Sequence, residues 1–246
     1  MDYYPNNPSP HPTGGWAVQP YPAAAVDWGL RSFMLKVFNR MTGGLAVTGV
    51  VAYAAAETGF YTHIAGTPLV WLVMFAPFAL ALFLGFRVSR MSPGAAHAAF
   101  WAYAALMGLS LAGIFLAYTG DSIARVFFIT AGTFAATAAW GYSTRTDLTR
   151  FGSFLIMGLI GVIIASVVNL FIGSSAIQFA VSVIGILVFT GLTAWDTQRL
   201  KTMYLEAGYP QGGSAGNLAI LGALTLYLDF VNLFISLLQL VGVRRD

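Results

Sequence analysis

The sequence predicts an all-α integral membrane protein with seven transmembrane helices. The class follows from three observations. Of 246 residues, 58% are hydrophobic and 9% are charged, where a soluble domain carries about a quarter charged residues. Mean hydropathy is +0.75. Apolar runs of the length needed to cross a bilayer, about 20 residues, recur from near residue 41 to the end.

Taken in order, residues 1–26 hold Pro5, Pro8, Pro10, Pro12, Pro20 and Pro22 and few aliphatic side chains. That composition cannot bury a core and reads as a disordered cytoplasmic tail ahead of a membrane domain over 27–246. It lacks the basic stretch, short apolar run and small-residue site of a secretory signal. Spans are expected at roughly 34–56, 67–86, 95–118, 125–142, 152–173, 176–197 and 217–241. The first opens with the amphipathic stretch SFMLKVFNR and the fourth is short, so the count is open by one. No internal repeat is evident.

Basic residues orient the spans. With the amino terminus inside, the inner segments hold Arg31, Lys36, Arg40, Arg87, Arg90, Arg145, Arg150, Arg199 and Lys201, and the outer ones only Arg125, Arg244 and Arg245. The amino terminus is therefore expected in the cytoplasm. Arg244 and Arg245 conflict with an outer carboxyl terminus, and a last segment that enters and returns on one face is the alternative. Short loops and the lack of an organelle signal point to a bacterial inner membrane.

The formal charge of +3 is spread between apolar runs rather than gathered in a patch, which argues against a nucleic-acid partner. No cysteine is present, so disulfides, thiolate zinc sites and cysteine nucleophiles are excluded. His11, His63 and His97 lack metal-ligand spacing, the latter two reading as interfacial. There is no phosphate-binding loop, dinucleotide fingerprint, Gly-x-Ser-x-Gly elbow or His-Glu-x-x-His motif. No enzyme and no cofactor are expected.

Two of the nine acidic residues stand apart. Asp229 lies in the middle of the last span, where a charge costs several kcal/mol unless paired, hydrated or protonated. Thr225, Asp229, Asn232, Ser236 and Gln239 recur at helical spacing and form a polar stripe. Lipid cannot satisfy that stripe, so it must face other helices or a water-filled cavity, either as interhelical hydrogen-bond glue or as a pore lining. Asp196 ends the sixth span, with Thr193 and Arg199 on its face, and could be a solvated i,i+3 ion pair near the interface. If the last two spans pack antiparallel across the Gly-rich AGYPQGGSAG connection, the two carboxylates meet, share a proton and titrate as a coupled pair. Fully ionised, such a pair is a hard oxygen site for Ca2+.

The strings VFTGLTAWDTQRLK (residues 188–201) and ALTLYLDFVNLFISLLQLVG (residues 223–242) resemble the Bax inhibitor-1 family, the transmembrane Bax inhibitor motif or YccA-like proteins. The resemblance extends more loosely over residues 41–242. It implies the arrangement of six helices around the seventh and a pH-sensitive leak of Ca2+ down its gradient. It implies further that Asp196 and Asp229 are the pH sensor and a possible Ca2+ site, and that an arginine of the second span latches onto them. By position Arg87 fits that role, with Arg90 as alternate. The second span, residues 67–86, lacks the carboxylate that some relatives carry there. The mechanism expected is a closed state in which the pair shares a proton while Arg87 seals the cytoplasmic mouth, with Thr225, Asn232 and Ser236 lining the path. Calcium is then the transported ion, and protons and the bilayer are the other partners.

Two other functions fit the same residues. A non-conducting regulator could bind another membrane protein, a protease complex or a cell-death factor, through Gly158, Gly161, Gly185, Gly191 and the Pro-rich tail, although glycines are also ordinary close-packing residues. Paired aspartates could also make an intramembrane aspartyl protease, but Trp195-Asp196 and Tyr227-Leu228-Asp229 do not match its Tyr-Asp and Gly-x-Gly-Asp motifs.

Overall fold

A computed structural model describes residues 23–64, 66–208 and 213–245. They form eight α-helices: α1 Ala23–Glu57, α2 Phe60–Ile64, α3 Leu69–Arg87, α4 Pro93–Ala117, α5 Gly120–Ser143, α6 Thr149–Ile172, α7 Ser175–Glu206 and α8 Gly213–Val241. A 3-10 turn, Val88–Arg90, joins α3 to α4. Local chemistry sets the ends. Pro93 opens α4 while Ser92 Oγ accepts from the Ala95 amide at 3.3 Å. Gly173, at φ 66, closes α6, and Ser174 at once caps α7, giving a turn short enough to hold the two helices antiparallel. Within α3, Pro77 removes an amide from the ladder and leaves a point of bending.

Six helices, α3 to α8, are long and apolar enough to cross a membrane. α1 has the length but not the apolar character, because Arg31, Lys36 and Arg40 lie in its first half and its second half is rich in Gly, Ala and Thr. The chain is thus a helical membrane protein with six apolar spans among the described residues, where seven are expected. Residues 1–22 of the expected tail lie outside the described residues, and Ala23–Val26 already belong to α1.

α8 is the central helix. In its apolar stretch 61% of residues are buried, against none in α6. It packs most extensively on α7, then on α1, α5 and α4, with the 3-10 turn and α3 at its edge. The expected ring of six is therefore incomplete: α6 packs on α7, not along α8. Its outer face carries exposed side chains such as Phe171 and Leu170, as the outer face of α3 carries Phe86 and Phe78. These faces meet lipid.

Close approach and buried hydroxyls lock α1 and α4 to the centre. Gly44 of α1 admits Phe100 and Tyr227, and Thr48 Oγ1 lies 2.6 Å from Tyr227 Oη and 2.8 Å from the Ala104 carbonyl. α8 runs unbroken for 29 residues, about 43 Å at 1.5 Å per residue. Its end is pinned at the α4–α5 junction, where the Thr119 amide donates to Val243 O and the Arg245 amide to Ala117 O, both at 3.0 Å. The last segment thus does not turn back toward the α7–α8 connection.

Candidate functional site: an intramembrane aspartate pair

The site is built at the α7–α8 contact, and three contacts fix the register of the two antiparallel helices. Ser182 Oγ lies 3.1 Å from Gln239 Oε1. A Cβ on Gly185 would stand 2.6 Å from Ser236 Oγ, and one on Gly222 would stand 2.9 Å from Leu200 Cδ2. That register sets Asp229 level with Leu192, about one turn short of Asp196. Since Cα–Cβ bonds lean toward each helix's own amino terminus, antiparallel side chains offset in this sense lean toward each other. The carboxyls of Asp196 and Asp229 accordingly come within hydrogen-bonding reach of each other.

Both acids are buried, Asp196 at 6% exposure and Asp229 at 5%. Asp196 is therefore not the solvated interfacial acid that its sequence position allows. Asp229 lies among buried apolar residues of its own helix in sequence, Leu226, Phe230 and Leu233, and its Oδ2 has no hydrogen-bond partner. A hydrogen bond between two carboxyls requires a proton on one of them, because an ionised carboxylate only accepts. Arg199 lies 4.0 Å from Asp196, half-exposed and stacked 5.1 Å above the Trp195 ring. It is the one ion pair among the described residues.

Neighbouring helices grip α7 around Asp196. Gly141 of α5 lies against the Ala194 backbone, Gly152 of α6 lies beneath the Trp195 ring, and Gly191 of α7 faces Leu155 of α6. One turn on, Gln198 bridges the α5–α6 connection, donating to Thr146 O at 2.9 Å and accepting from the Leu148 amide at 2.8 Å. Gly141, Gly152 and Gln198 escaped the sequence reading, because their role lies in contacts between helices distant in sequence. Of the glycines read there as contact points, Gly158, Gly185 and Gly191 do pack against side chains of neighbouring helices, whereas nothing lies near Gly161.

The polar stripe faces α7 only in part. Ser236 and Gln239 meet Gly185 and Ser182. Thr225, Asn232 and Ser236 give their hydrogens to carbonyls of their own helix, Leu221, Leu228 and Asn232. Arg87, the expected latch, is exposed at the end of α3, as is Arg90 in the turn that follows, and neither reaches the pair. His97 is engaged rather than merely interfacial, with its Nε2 3.1 Å from Arg40 Nη2. Among the described residues no three His, Cys, Asp or Glu side chains gather to hold a metal.

The fold is that of a polytopic membrane protein, a helical bundle whose central helix carries a buried acid facing a second buried acid on the helix beside it. The family model described as "Inhibitor of apoptosis-promoting Bax1" matches residues 30–246. The chain is 50% identical over 221 residues to the uncharacterized protein RP147 of Rickettsia prowazekii, covering 89% of this chain and 93% of that one. It is 43% identical over 219 residues to the inner membrane protein YbhL of Escherichia coli K12, covering 88% and 94%. An uncharacterized protein of Caulobacter vibrioides is 44% identical over 235 residues, covering 90% and 92%. The chain belongs to the Bax inhibitor-1 family.

Proposed function

We propose that this protein is a pH-sensitive Ca2+ leak channel of a bacterial inner membrane, gated by the Asp196–Asp229 pair. The observation that carries the reading is the close approach of two carboxyls, both buried, at the contact of α7 with the central helix. Holding one proton, the pair bears a single negative charge; losing it or gaining another changes that charge to two or none. In a low-dielectric interior each step strongly alters the attraction for a cation or an arginine. The inner-membrane name of the Escherichia coli relative supports the location. With α1 as the seventh span, the amino terminus and the α7–α8 connection both lie in the cytoplasm.

Ca2+ takes six to eight oxygen ligands, and two carboxylates offer at most four. The pair is therefore a point of transit, with water and the polar atoms of Thr225, Asn232 and Ser236 completing the shell as the ion passes. The moving part is α3. Packed chiefly on α4 and bendable at Pro77, it carries Arg87 and Arg90 at its cytoplasmic end. Approach of Arg87 to the pair closes the mouth and its retreat opens it.

Purified protein in liposomes loaded with a Ca2+ dye, with K+ and H+ fluxes measured in parallel, tests the reading. A Ca2+ flux above that of empty liposomes that changes between pH 6 and 8 is expected. Flux equal to that of empty liposomes at every pH would remove it.

A further inference from the structure

α1 and α5 both flank α8 yet do not pack along each other. Between them runs an apolar crevice with a cavity of about 590 Å3, continued by a second of about 290 Å3 that shares Leu45, Phe127 and Phe230 with it. Its floor is Phe230 of α8, and its α5 wall is Ala131, Ala135, Ala138 and Ala139 set among the rings of Phe127, Phe134 and Tyr142. Along α1 it extends from Phe38 to Ala52, about 21 Å, more than one leaflet of a hydrocarbon core about 30 Å thick. One end carries a cation. Lys201 Nζ donates to Tyr142 O at 3.2 Å and lies 5.3 Å above the ring of Tyr142, a residue of the crevice wall. An ammonium has three donors, so two remain.

We infer that this crevice holds one acyl chain of an anionic phospholipid, whose phosphate is held by Lys201 at the cytoplasmic end. The argument is charge complementarity joined to shape: a largely apolar slot longer than one leaflet, with the half-buried Lys201 ammonium and its spare donors set against Tyr142 at one end. The bound chain would rest on Phe230, the residue after Asp229, so the lipid supports the central helix beside the aspartate pair.

The test uses the full chain in phosphatidylcholine vesicles doped with phosphatidylglycerol carrying a diazirine on its acyl chain, with labelled peptides mapped by mass spectrometry. Label is expected on the segments around Phe127 to Ala138 and Phe38 to Ala46. Ala135→Phe, which projects into the slot from an exposed position, is expected to reduce that label at least about fourfold, the worth of one displaced methylene. Lys201→Gln is expected to lower the preference for phosphatidylglycerol over an equally labelled phosphatidylcholine about fivefold. Melting temperatures of both variants in detergent separate lost lipid from lost fold. Crevice label unchanged in a folded Ala135→Phe protein, label confined to the outer face of α6, or cross-links joining two copies through the crevice would each overturn the inference.

Discussion

Asp229 stands about one helical turn short of Asp196 across the antiparallel α7–α8 contact, and that offset brings their carboxyls together. In exact register the two side chains would lean past one another. The offset is held by Gly185 against Ser236 and by Gly222 against Leu200, so the chemistry of the pair depends on positions two to three turns away.

Asp229→Asn keeps an N–H donor for Asp196 and should fold with nearly unchanged stability. Asp229→Ala leaves the Asp196 oxygen buried without a partner and is expected to lose about 1–3 kcal/mol. Thermal unfolding in detergent distinguishes the two; equal loss in both would mean that no hydrogen bond joins the acids.

Arg199 lies 4.0 Å from Asp196 in this structure, while Arg87 is exposed at the end of α3. A neighbouring cation favours the ionised pair. Arg199→Gln should therefore move the flux–pH profile toward alkaline pH, whereas Arg87→Gln should raise flux at all pH by removing the seal. Overlapping profiles for wild type and Arg199→Gln would show that Arg199 is electrostatically silent.

A side chain at Gly141 would collide with the Ala194 backbone, which cannot yield as a flexible side chain can. Gly141→Val should wedge α5 from α7, destabilising the protein by about 1–3 kcal/mol or more and altering the pH response without touching either acid. Gly161→Ala, at a position where nothing lies near, is the control and should melt with the wild type.

Outside the spans, Asp147 is held below the usual carboxylate range by hydrogen bonds from the Thr149 side chain and backbone amide, the latter at 2.9 Å. Its stabilising effect is present above the unfolded carboxylate value and fades as pH falls through the lower folded one. The protection factor of the Thr149 amide, exchange corrected for its intrinsic pH dependence, should therefore fall only in strong acid, and Asp147→Asn should lower it at neutral pH. A change in that protection factor between pH 6 and 8 in the wild type would contradict this assignment.

Much of the helical layout is legible in the sequence, because apolar run length and polar breaks report directly on spans. The expected starts and ends of the last five spans fall within a few residues of α4 to α8, apart from α7, which continues to Glu206. Asp229 is equally legible, an acid amid apolar residues with polar partners at helical spacing. Asp196 is not, since an acid three residues before an arginine reads the same whether solvated or buried; burial comes from Gly141 and Gly152, on helices read separately. The place of α6 outside the ring also left no local trace, because a lipid-facing helix and a core helix are both apolar. For Arg87, position along the chain suggested proximity to the pair, and tertiary packing places the residue at an exposed helix end.

Ca2+ flux into dye-loaded liposomes from pH 6 to 8, compared for wild type, Asp196→Asn and Asp229→Asn, tests the shared proton as the gate most directly. The account predicts a pH-dependent flux in the wild type and a flat one in both variants, with Asp229→Asn held near the wild-type acid-side level. Variants that follow the wild-type pH profile would contradict it.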